Sequence, residues 1–156
     1  MEFFGDPRTN LSARYRKHLR EKGYEDLAEA IKRGIEAEKT IAKETSFPVA
    51  LMREGYALAF PFVNLPAPDL LPKHLLDAWR EADKGRKALR ALKKLYAEAL
   101  AEVGQVPQER LKELAEKAIE AFLRTGQENL APEALEWLTH QENLRQEGEK
   151  GEATPE

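Results

Sequence analysis

The chain has 156 residues, no cysteine and a formal net charge of −3. That length favours one domain able to bury a core without cross-links. The missing cysteine excludes disulfides, thiol nucleophiles and cysteine-built zinc sites, and fits a reducing, cytoplasmic setting.

Along the chain, strand alternation is nearly absent and helical periodicity recurs. The opening MEFFGDPRTN lacks the basic-then-apolar pattern of a secretory signal. A first helix is expected after the cap candidates Thr9, Asn10 and Ser12, with Leu11, Tyr15 and Leu19 on one side and Gly23 as its stop. A second is expected over about 25–44, with Leu27, Ile31, Ile35 and Ile41/Ala42 facing inward. Gly34 lies inside it at a cost of about 1 kcal/mol relative to Ala, which reads as a close helix crossing.

A third helix is expected from Ser46, with Pro48 in its first turn. Its sequence VALMREGYALAF is apolar nearly all round, the pattern of a buried helix. The whole apolar zone, 47–63, is interrupted by Arg53, Glu54 and two prolines. It is shorter than the roughly 20 residues that span a bilayer, so a soluble chain is expected. The stretch PFVNLPAPDLLP follows, with prolines at 61, 66, 68 and 72, and reads as a stiff connector. Phe60, Phe62, Val63 and Leu65 lie along it, as cover for the core or as a protein-docking patch.

The fourth helical segment covers about 70–103 and the fifth follows Pro107. Leu111, Leu114/Ala115, Ala118/Ile119 and Phe122/Leu123 form the apolar stripe of the fifth, which closes at Thr125-Gly126. A sixth, about 132–145, presents Leu135, Trp137/Leu138 and Leu144. The acidic tail, 147–156, has no large apolar residue and is expected to be disordered. The expected fold is therefore all-α: a single domain, 1–146, of five or six helices with a Pro-rich connector.

Charge is unevenly placed. Residues 1–58 carry 11 Lys/Arg against 10 Asp/Glu, 59–104 carry 8 against 6, and 105–156 carry 6 against 12. Glutamate outnumbers aspartate 23 to 5, a bias that points to a thermophilic source. On a helix through 84–95, Arg86, Lys87, Arg90, Lys93 and Lys94 fall within a sector of about 120°, opposite Leu89, Leu92 and Leu95. Asp83 can pair with Lys87, and Glu98 with Lys94. Arg86, Arg90 and Lys93 have no carboxylate at that spacing, and the like-charge neighbours each cost a few tenths of a kcal/mol. A single-sign stripe suits a phosphate backbone or an acidic protein surface. Arg16, Lys17 and Arg20 repeat the geometry on the first helix, so side-by-side packing would merge the two faces. The opposing expectation is that carboxylates on other helices neutralise them.

The apolar face before Gly85, defined by Leu75, Leu76, Trp79 and Ala82, becomes the basic face if an ideal helix continues past it. Either the helix breaks there or it changes partner. Trp79 next to arginines suits base stacking, but its leucine neighbours favour a core position.

Enzyme signatures are missing. His18, His74 and His140 have no partners at metal-binding spacing and read as surface residues, and there is no phosphate-cradling loop. Ser12 and Ser46 look like caps rather than nucleophiles. A helix-turn-helix around Gly23 fits poorly. No catalytic residue, metal, cofactor, small-molecule substrate or membrane partner is expected. The sequence points to a non-enzymatic helical subunit of a larger complex that contacts nucleic acid, RNA or DNA, through its basic faces without reading sequence. The alternative is a protein adaptor using the apolar residues of 60–72, or an inhibitor using the acidic C-terminal helices.

Overall fold

The alternation of three- and four-residue spacings dominates the architecture. The computed structural model describes residues 11–126 and, beyond them, positions 140 and 144. Within these residues lie four α-helices: α1 (Leu11–Glu21), α2 (Tyr24–Glu44), α3 (Leu76–Glu102) and α4 (Gln108–Thr125). Short 3₁₀ turns at Pro68–Leu70 and Lys73–Leu75 lead into α3. The expected sixth segment and the acidic tail lie outside the described residues, apart from exposed positions His140 and Leu144.

On α3, the inward positions Ala78, Ala82, Gly85, Leu89, Leu92, Tyr96 and Ala99 follow Leu75 in strict three–four alternation. On α2, Tyr24, Ala28, Ile31, Ile35, Glu38 and Ala42 do the same. This is the seam pattern of two helices packed nearly parallel to a common axis. The two run antiparallel: Tyr24 meets Tyr96 at a ring-centroid distance of 6.3 Å, Gly34 meets Gly85, and Glu44 meets His74.

The crossing is narrowest at the glycines. A Cβ on Gly34 would lie 2.8 Å from the Cα of Gly85, and one on Gly85 would lie 2.9 Å from the Cα of Gly34. The close crossing read from Gly34 is therefore present, with Gly85 as its partner.

Different elements cover the two ends of this pair. Around Tyr15, Leu19, Tyr24, Tyr96 and Phe122, the core is closed by α1, α4 and the 50–60 part of the segment between α2 and α3, which contributes Ala59, Leu58 and Phe60. Around Ile41, Val49, Leu71, Leu75 and Ala82, it is closed by the segment between α2 and α3. The helix continues through Gly85 without a break. It packs on α2 on both sides of Gly85, while the other elements that cover it change.

The third expected helix does not form. Residues 47–60 are non-helical, and Leu51 and Phe60 make one isolated antiparallel bridge. Gly55 turns the chain at φ +86°, with the Tyr56 amide donating to the Arg53 carbonyl at 3.1 Å. The hairpin instead lets Val49 and Ala59 face inward while Met52, Arg53 and Glu54 face solvent.

Candidate functional site

The segment from 45 to 75 contains no α-helix and is fastened at several points. The Leu51 and Phe60 amides donate to each other's carbonyls at 3.0 and 2.6 Å, and the Val63 amide donates to Val49 at 3.0 Å. The amides of Ala57 and Leu58 donate to the carbonyls of Arg124 and Leu123, at 3.1 and 2.8 Å. They satisfy acceptors that the end of α4 leaves free. Arg53 lies 4.0 Å over the Phe60 ring, Phe60 meets Tyr56 edge-on at 5.2 Å, and Arg124 lies 5.2 Å over Tyr56. These are favourable cation–π and edge-to-face contacts. At the other end, the Trp79 indole N–H donates to the Pro66 carbonyl at 2.6 Å. Trp79 thus anchors the connector against the core.

Phe60, Phe62 and Leu65 are half-buried and pack on the core, whereas Val63 is exposed. The core-cover reading holds for three of the four. The exposed large apolar side chains are instead Phe47, Leu51, Met52, Val63 and Leu70, with Met52 66% and Leu70 63% accessible. Apart from Leu144, every exposed large apolar residue among the described residues belongs to this connector.

Beneath the connector lies a residue that the apolar pattern of α2 skipped. Glu38 occupies a seam position between Ile35 and Ala42 and is 0% accessible. One carboxyl oxygen accepts the Phe62 amide at 2.5 Å, while Oε1 is buried without a partner. Burial pushes its pKa up to about 8, against the opposing pull of the Phe62 amide. Phe62 takes a left-handed conformation, φ +61°, which costs a non-glycine residue roughly 1–3 kcal/mol. Its ring tip lies 2.9 Å from where a Gly85 Cβ would sit. The signal was present in the sequence: a glutamate at an inward heptad position.

Lys87, Arg90 and Lys94 face solvent, whereas Arg86 and Lys93 are half-buried, and several of these residues already have carboxylate partners. Asp83 binds both Arg86 and Lys87, the latter at 3.2 Å. Burial tends to raise the Asp83 pKa, but hydrogen bonds from Lys87 and Arg86 outweigh it and hold the carboxyl below its ordinary value. Lys93 pairs with Glu116 on α4 at 3.1 Å. Arg86 and Lys93 therefore have the partners that i,i+4 counting withheld. The expected Lys94–Glu98 pair does not form: both instead border a shallow depression of about 480 Å³ with Lys22 and Asp26. Lys17 pairs weakly with Glu21 at 3.9 Å. Arg20 is exposed. Of the eight basic residues singled out in the sequence, Arg16, Arg90 and Lys94 are exposed and have no ion pair.

Just past the end of α1, Lys22 borders the same depression as Lys94. α1 reaches α3 near its C-terminal end, where His18 Nδ1 lies 3.8 Å from Glu102. That is twelve residues beyond Arg90, or roughly 18 Å along the axis at about 1.5 Å per residue. His18 is also not the surface residue expected: its side chain is only 14% accessible, and Nε2 is buried without a partner. His74 is exposed and lies 2.8 Å from Glu44.

Among the described residues, no group of three or more His, Cys, Asp or Glu converges to hold a metal, and no helix is long and apolar enough to cross a membrane. No protein-family model matches the chain, and no curated protein or solved structure matches it significantly.

Proposed function

We propose that this chain is a non-enzymatic helical binding module that docks onto another protein through the connector between α2 and α3. The observation behind this reading is that, apart from Leu144, the exposed large apolar side chains among the described residues (Phe47, Leu51, Met52, Val63 and Leu70) all belong to this connector. Concentrated apolar exposure on an anchored, non-helical segment is typical of an interaction surface. The missing cysteine and the glutamate bias suit a cytoplasmic, thermophilic setting.

A photo-crosslinking residue at Met52, compared with one at Glu29 on the exposed face of α2, identifies the partner. Affinity for the purified partner is then measured for Met52→Asp with Leu70→Asp. The expected loss is at least about tenfold, about 1.4 kcal/mol, with little dependence on salt. Unchanged affinity excludes the connector as the interface.

A second reading retains nucleic-acid phosphates as the target of the basic residues. It is supported by the exposed, unpaired state of Arg16, Arg90 and Lys94. The other members of the stripe are available to phosphate only by giving up carboxylate partners, a modest cost for exposed pairs.

A further inference from the structure

Glu38 is the one buried charged residue in the described core, and the molecule gives it a single hydrogen-bond partner, the amide of a connector residue held in a left-handed conformation. Its second oxygen is enclosed and unsatisfied. The Phe62 ring sits against the narrowest point of the α2–α3 crossing, and four residues later the chain is tied to Trp79 through Pro66. One carboxyl thus underlies the part of the connector that is fastened to the helical pair.

We propose that Glu38 is a pH-sensitive latch: in its neutral form it keeps Phe62 seated over the Gly34–Gly85 crossing, and on losing its proton it admits water and releases the connector around 60–66.

The surroundings supply no countercharge. On α2, Glu36 pairs with Lys39 at 3.2 Å, and Glu44 lies against His74 at 2.8 Å. On α3, opposite Glu38, Asp77 pairs with Arg80 at 3.0 Å and Glu81 with Lys84 at 3.6 Å. Asp83 is held by Arg86 and Lys87. The connector residues 59–66, AFPFVNLP, carry no charge. An ionised Glu38 would therefore have the Phe62 amide and no cation, so hydration becomes its main route to stabilisation. Moving the connector is the route that leaves the helical pair intact. The effect on partner binding rests on the docking reading above, but the latch itself does not.

The test uses the full chain without a partner. Side-chain carboxyl resonances of ¹³C-labelled glutamate are followed from about pH 5 to about pH 9.5, together with exchange protection at the Phe62 amide and the Trp79 indole resonance. One carboxyl, identified by its loss in Glu38→Gln, is expected to titrate near pH 8. Phe62 protection should fall at least about tenfold at the same midpoint, with helical circular dichroism unchanged and the response absent from Glu38→Gln. Titration of Glu38 with the surface glutamates would overturn the latch. So would a Phe62 amide indifferent to pH, or loss of helical signal at the same midpoint. Met52→Asp with Leu70→Asp should leave the titration in place, which separates failure of the latch from failure of the docking reading.

Discussion

A single methylene decides whether α2 and α3 can approach as they do. In Gly85→Ala, the new Cβ would meet the Gly34 Cα at 2.9 Å and the Ala30 carbonyl at 3.1 Å, both backbone atoms that cannot swing aside. Alanine gains about 1 kcal/mol of helix propensity, but overpacking typically costs about 1–3 kcal/mol. Urea denaturation should show a net loss of up to about 2 kcal/mol, and a stabilised variant would mean that the crossing is looser than 2.9 Å implies. Glu38 sets a different dependence. Its carboxyl holds its proton to about pH 8 when folded, against an ordinary value of 4.5. The folded state therefore has the full benefit below pH 4.5 and loses it as pH rises to about 8. At about 1.36 kcal/mol per pH unit, the loss is on the order of 3–5 kcal/mol. Glu38→Gln keeps an acceptor for Phe62 and cannot ionise. Its thermal midpoint should stay level where that of the parent chain declines, and parallel declines would remove Glu38 as the cause.

At the scale of elements, the connector closes the core at one end of the helical pair and contributes Ala59 to the core at the other. Trp79→Phe keeps an aromatic ring but removes the donor to Pro66. The loss should be about 1–3 kcal/mol, because the Pro66 carbonyl is left without its partner in a buried residue. Proteolysis should then begin within 60–72 before the helices are cut, whereas first cleavage inside a helix would contradict this order. The connector was partly legible in the sequence. Its prolines announced a non-helical stretch, but the preceding VALMREGYALAF looked helical because composition cannot distinguish a buried helix from a hairpin. Gly55, with its positive φ, was the cue that outweighed the apolar content.

For the whole molecule, the arrangement of charge matters more than its total. With Arg86, Lys87 and Lys93 engaged by carboxylates, phosphate binding would rest chiefly on Arg16, Arg90 and Lys94. Single strands release about 0.7 counterion per contact, so these three cations would give a slope of log K against log salt near −2, while all eight basic candidates would give about −5 to −6. Fluorescence anisotropy with single-stranded RNA and DNA, from about 50 to 200 mM salt, distinguishes the two. Arg90→Glu with Lys94→Glu should abolish the shallower slope. Absence of binding at low salt would leave docking as the only reading of the two.

Periodicity and glycine placement alone specified four of the helices, the crossing at Gly34, the turn at Gly23 and the outward basic sector of α3, because each depends on local spacing and backbone freedom. Tertiary structure decided which carboxylate neutralises Lys93, where α1 meets α3, and which apolar side chains of the connector remain outside. It also decided that Glu38 faces inward under Phe62. These features depend on which distant segments share a surface: Lys93 meets Glu116 across two helices, and Glu38 meets Phe62 across 24 positions. Helical spacing places a side chain on a face, whereas the covering element determines whether that face meets water, a countercharge or an amide.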